Sequence, residues 1–111
     1  MSEKEKAIKK EKNKLKKIFK DIDKNKLDFV QTLIDRLAWL NVSVRELEEL
    51  VNEEGTMIEY NNGGGQSGMK DNPNVKTLIN YTKNITTITK QLVDLVPPNT
   101  KKSKLMELLD E

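Results

Sequence analysis

Apolar side chains recur every three or four residues along most of this chain, and the intervals predict four helices. The first begins at Lys12, with Leu15, Ile18, Phe19 and Ile22 on one stripe and lysines elsewhere; Ile8 extends that stripe by two turns. The second runs from about Leu27 to Leu40 and carries Leu27, Val30, Leu33, Ile34, Leu37 and Leu40. Phe29, Ala38 and Trp39 widen its apolar face, so more than one surface should cover it. The third holds Val44, Leu47, Leu50 and Val51 and ends at Glu54. The fourth keeps a heptad spacing through Val75, Leu78, Thr82, Ile85, Thr89, Leu92 and Val96, broadened by Ile79, Tyr81, Ile88, Val93 and Leu95.

Local chemistry sets the expected boundaries. Asp23-Lys24-Asn25 reads as a break, since Asn favours turns over helix interiors. Asn41-Val42 is expected to end the second helix, and Ser43-Val44-Arg45-Glu46 to open the third as a capping box. Gly55 suits the left-handed residue that follows a helix. Residues 56–70 form either a short β-hairpin or an open Gly-rich loop, with Asn61-Asn62-Gly63-Gly64-Gly65 at its tip. Asn72 caps the fourth helix and Pro73 occupies its first turn. The β-branched run Ile85-Thr86-Thr87-Ile88-Thr89 lowers helicity there, so packing must compensate. Pro97-Pro98 stops the helix, and a last short helix can follow through Leu105, Met106, Leu108 and Leu109. The fold class is therefore mostly all-α. It comprises a disordered basic head over residues 1–11, a helical domain over 12–96 built on a helical hairpin and a long C-terminal helix, and a tail over 97–111.

The net charge of +2 hides a strong segregation. Residues 1–26 hold eleven lysines against five acids, residues 27–59 two arginines against eight acids, and residues 60–104 seven lysines against two. The 111 residues include no cysteine and no histidine, which removes disulfides, thiolate or imidazole metal sites and Ser-His chemistry. No catalytic carboxylate pair is displayed, the glycines are not followed by Gly-Lys-Ser/Thr, and the chain is expected to be neither an enzyme nor dependent on a cofactor. No apolar run reaches the roughly 20 residues of a membrane span, and no h-region follows the basic N-terminus, so a cytoplasmic location is expected. The Asn-x-Ser/Thr triplets at Asn41, Asn80 and Asn84 are then chance products of composition.

Two helices with a four-residue link have the spacing of a helix-turn-helix. Charge argues against groove reading, because Glu46, Glu48, Glu49, Glu53 and Glu54 on the third helix would be repelled by phosphates. An ordinary helical hairpin is the better reading. Trp39 is expected to serve packing rather than base stacking, with Arg36 as its basic neighbour.

The order of these parts resembles a known family. Glu53-Glu54-Gly55 closes a helix, a Gly-bearing loop follows, and Lys-Asp-Asn-Pro-Asn-Val-Lys (70–76) opens a long helix. Leu-Val-Pro-Pro-Asn-Thr-Lys-Lys-Ser-Lys-Leu (95–105) comes after it. The arrangement is similar to the phage terminase small subunits of the short helical type associated with HNH phages. The matching positions are Glu54 and Gly55, then Lys70, Asn72, Pro73 and Lys76, then Pro98, Thr100, Lys104 and Leu105, within residues 29–105. Lys104 stands where arginine is more typical, and the lysine-rich head lies outside the matching region.

The resemblance implies a non-catalytic subunit that assembles into a ring-like homo-oligomer in the host bacterial cytoplasm. It would bind double-stranded viral DNA and deliver it to the large terminase subunit, an ATPase-nuclease, for genome packaging. Physically, Lys9, Lys10, Lys12, Lys14, Lys16, Lys17 and Lys20 are the candidate phosphate contacts, with Lys101, Lys102 and Lys104 next. Leu37, Val75, Leu78, Ile85, Ile88 and Leu92 are the candidate oligomerisation residues. The acidic end Leu105–Glu111 is a candidate docking peptide for the large subunit. The alternative is a helical protein-interaction or adaptor module that never meets DNA.

Overall fold

The computed structural model describes residues 1–20 and 22–95. The stop at Pro97-Pro98, the short helix through Leu105 and Leu109, Lys101, Lys102 and Lys104, and the Leu105–Glu111 peptide lie outside the described residues. The architecture is mostly α, with helices α1 (Glu3–Ile18), α2 (Lys24–Glu54) and α3 (Pro73–Leu95) and strands β1 (Met57–Gly63) and β2 (Gln66–Asp71) between the last two helices.

α1 starts at Glu3, nine residues earlier than the Lys12 start and inside the head expected to be disordered. Its cap is readable in hindsight as Ser2-x-x-Glu5: the Ser2 hydroxyl accepts from the Glu5 amide at 3.1 Å. Glu3 and Glu5 lie in the first turn and Lys16 and Lys17 in the last, the sense favoured by the helix dipole. The chain then turns, and Asp23 caps α2 by accepting from the Asn25 amide at 3.1 Å.

The break expected at Asn41-Val42 is absent. α2 runs unbroken for 31 residues, and Ser43 sits inside it rather than capping a third helix. None of Asn41, Val42 and Ser43 is glycine or proline, so each costs only a few tenths of a kcal/mol in a helix interior. Contacts from α1 offset that cost: Glu11 accepts from Asn41 Nδ2 at 3.2 Å and from Arg45 at 3.0 Å, and Val42 is buried. Gly55 does follow the helix with positive φ, but at φ 87° and ψ 172° it is extended rather than left-handed helical. A side chain there would be strained, which is why glycine fits.

β1 and β2 form an antiparallel hairpin pairing Met57 with Asp71 and Asn61 with Ser67, with a register shift between Asn61 and Gly63. Gly64 and Gly65 both have positive φ, the sign pattern of the tight turns that suit β-hairpins. The Tyr60 ring lies over Gly68, where an added Cβ would come within 3.1 Å of its hydroxyl. Otherwise the hairpin is largely exposed.

α1 runs antiparallel to α2, bringing Lys4 to Glu46 and Lys12 to Asp35. α3 is antiparallel to α2 as well: Asn74 reaches Glu54 at one end and Tyr81 meets Trp39 further along. One core joins the three helices, with Leu15, Phe19, Val30, Ile34, Leu37, Ile88 and Leu92 among its buried members. Its apolar burial is the main stabilising term. Thr77, Thr82, Thr86 and Thr87 fit the helix by donating to the carbonyl four residues back, as in Thr82 to Leu78 at 2.8 Å and Thr86 to Thr82 at 3.1 Å, whereas the buried Thr89 hydroxyl has no partner.

Candidate nucleic-acid interface

α1 has two unlike faces. Ile8, Glu11, Lys12, Leu15 and Ile18, with Phe19 just past the helix end, follow one another at intervals of one or three and turn toward α2. The opposite side carries Lys6, Lys9, Lys10, Lys16 and Lys17, all exposed, and Lys20 is exposed in the turn that follows. From Lys6 to Lys17 this ridge extends about 17 Å at 1.5 Å per residue, the length of one duplex strand bearing about five phosphates.

The seven lysines singled out from the sequence do not share one environment. Lys9, Lys10, Lys16 and Lys17 lie on the ridge, Lys14 is exposed on its flank, and Lys20 is exposed in the turn after α1. Lys12 turns toward α2 and pairs with Asp35 at 3.5 Å. Lys6, which the sequence reading omitted, belongs to the ridge and pairs with Glu3 at 3.6 Å across one helical turn.

A shallow cleft of about 850 Å³ runs beside α1, lined by Lys6, Lys9, Lys10, Lys14, Lys17 and Arg45. The carboxylate in that lining is Glu11, and Arg45 donates to it at 3.0 Å, which offsets its charge. Six cations around one paired carboxylate make a positive concavity where a polyanion gains from field and shape together. Arg45 could not be found from sequence, because it arrives from α2 only through the antiparallel packing of α1.

The acidic cluster near the end of α2 lies outside this cleft. Glu48, Glu49 and Glu53 are exposed on the last turns of α2, while Glu54 accepts from Asn72 and Asn74 at 3.3 and 3.0 Å. They give that end of α2 the wrong sign for phosphate.

A second concavity of about 890 Å³ opens between α2 and α3, lined in part by Arg36, Trp39, Leu40, Tyr81, Asn84 and Ile88. Trp39 is 40% exposed and meets Tyr81 edge-on at 5.6 Å between ring centroids. Its basic neighbours include Lys4, whose ammonium stands 4.9 Å over the ring. Of the candidate oligomerisation residues, Leu37, Ile88 and Leu92 are buried in the protomer's own core. Val75, Leu78 and Ile85 are half-buried along α3. Exposed apolar side chains outside that candidate set include Leu27, Phe29, Leu50 and Ile79.

Among the described residues no group of His, Cys, Asp or Glu is arranged to hold a metal ion, and no helix is long and apolar enough to cross a membrane. Comparison of the chain with family models, with curated proteins and with solved structures finds no match.

Proposed function

We propose that this chain is a non-catalytic, duplex-binding subunit of the phage terminase small-subunit kind. It self-assembles in the bacterial cytoplasm and presents viral DNA to a large ATPase-nuclease partner. The observation that carries this reading is the basic cleft beside α1, where five lysines and Arg45 surround one neutralised carboxylate. Exposed lysines on a helix contact phosphates without reading bases, so binding is sequence-tolerant and driven by counterion release. Assembly multiplies such weak contacts by raising their effective concentration. The order of helix end, Gly-bearing loop and Asn72-Pro73 helix start supports the same reading.

The test is duplex binding by the full chain between about 50 and about 200 mM salt. The triple variant Lys9→Glu, Lys10→Glu, Lys17→Glu, all at exposed positions, should weaken binding strongly. It should also flatten the slope of log K against log salt by about three. Unchanged affinity and slope would remove α1 from the interface.

The adaptor reading has its own observation, the open groove between α2 and α3 with Trp39 and Tyr81 on its walls. A protomer that stays monomeric at micromolar concentration and ignores duplex DNA would favour it.

A further inference from the structure

α1 is fastened to α2 in two different ways along its length. Its C-terminal half is held by buried apolar side chains, Leu15, Ile18 and Phe19. Its N-terminal half has the partly buried Ile8 and a set of polar ties. Lys4 reaches Glu46 at 2.9 Å and lies over Trp39, Glu11 accepts from Asn41 and Arg45, and Lys12 pairs with Asp35. Lys4 and Glu46 are 37% and 49% exposed, so this pair is open to screening by salt.

These ties grip a stretch of α2 that carries a helix-start signal. Ser43-x-x-Glu46 is a capping box, yet in the continuous helix the Ser43 hydroxyl is buried without a hydrogen-bond partner. A buried hydroxyl left unpaired is unfavourable. If α2 broke ahead of Ser43, that oxygen would accept from the Glu46 amide and the Glu46 carboxylate would accept from the Ser43 amide. In the straight helix that carboxylate is bound by Lys4. Lys4 therefore competes with the cap.

We propose that residues 3–12 form an ionic strap that keeps α2 straight, and that its release lets α2 break ahead of Ser43. A polyanion that draws Lys4 and Lys12 away from Glu46 and Asp35 lifts the strap and frees Glu46 to close the box. The two released ammonium groups are then free to pair with the polyanion, so strap opening and polyanion binding favour one another. Only this coupling rests on the proposed function; release by simple salt does not.

Hydrogen exchange read by mass spectrometry on the full chain tests it, at low salt, at high salt, and at low salt with a short duplex. On release, amides of residues 5–12 and of Val44 and Arg45, which the closed box leaves bare, should exchange at least about tenfold faster, while those of residues 82–92 keep their rates. Glu46→Gln keeps a capping partner but loses the ion pair with Lys4, so it should open at low salt. Ser43→Ala removes the cap, so high salt should expose residues 5–12 while the amides of Val44 and Arg45 stay protected. Persistent protection of residues 5–12 at high salt would overturn the strap. Loss of protection at Val44 and Arg45 in Ser43→Ala equal to that of the parent would overturn the break. A duplex that binds without altering exchange would overturn the coupling. If the duplex does not bind while salt still opens the strap, the DNA-binding reading fails and the strap stands.

Discussion

Asn72 is 2% exposed and joins three segments through one carboxamide. Its Nδ2 donates to the Gly55 carbonyl at 2.9 Å and to Glu54 at 3.3 Å, and its Oδ1 accepts from the Asn74 amide at 3.0 Å. Its own amide donates to the Thr56 carbonyl at 2.9 Å. The end of α2, the base of the hairpin and the start of α3 are thus tied at one point. Removing the side chain costs about 1 kcal/mol for the cap and about 1–3 kcal/mol for the carbonyl left bare. Asn72→Ala should therefore lower the melting temperature by on the order of 10 °C. Asn72→Asp discriminates between the two roles, since it keeps the acceptor that caps α3 but loses both donors and sets a carboxylate against Glu54. Thermal denaturation should find it no more stable than Asn72→Ala. Recovery by aspartate would mean that capping alone matters.

At the scale of elements, α3 shows how one helix divides its faces. Leu92 is fully buried and Ile88 nearly so, while Ile79 is 50% exposed. Leu92→Ala should cost about 2–5 kcal/mol, because the helices around it relax only partly into the space left. Ile79→Ala at the exposed position should leave protomer stability within about 0.5 kcal/mol of the parent. Chemical denaturation of both variants separates core from surface. An equal loss for the two would mean that Ile79 is covered in solution, which only another subunit or partner could do. The hairpin is the opposite case. Two strands with little buried surface are marginal in water, so its stability depends on the tie at Asn72 and on the Tyr60 ring over Gly68.

For the molecule as a whole, charge is sorted in space as well as in sequence. Lysines line the outer face of α1, and Glu48, Glu49 and Glu53 stand exposed at the far end of α2. Opposite patches on one protomer suit a head-to-tail contact, the kind that closes rings. With Leu37, Ile88 and Leu92 enclosed in the core, such a contact would draw on charge and on exposed side chains such as Leu50 and Ile79. Mass photometry at low salt should find assemblies larger than a dimer. The double variant Glu48→Lys, Glu49→Lys should shift that distribution toward smaller species without lowering protomer stability. An unaltered distribution would exclude this end of α2 from the assembly contact.

The sequence by itself determined the helical character, the turn near Asp23, the Asn72-Pro73 helix start and the segregation of charge. These follow from periodicity, backbone preference and composition, all of which act over a few residues. Residues 56–70 were open between hairpin and loop because alternation over so short and polar a stretch is weak, and pairing of Met57 with Asp71 is a contact at distance. Only the tertiary structure decided that α2 is one helix. The local signal at Ser43 calls for a new start, and it is overridden because side chains of α1, thirty or more residues earlier, bind Asn41, Arg45 and Glu46. The same packing brings Arg45 into the lysine cleft and encloses Leu37, Ile88 and Leu92. A stripe of apolar residues states that a face will be covered, but what covers it depends on where the other helices lie.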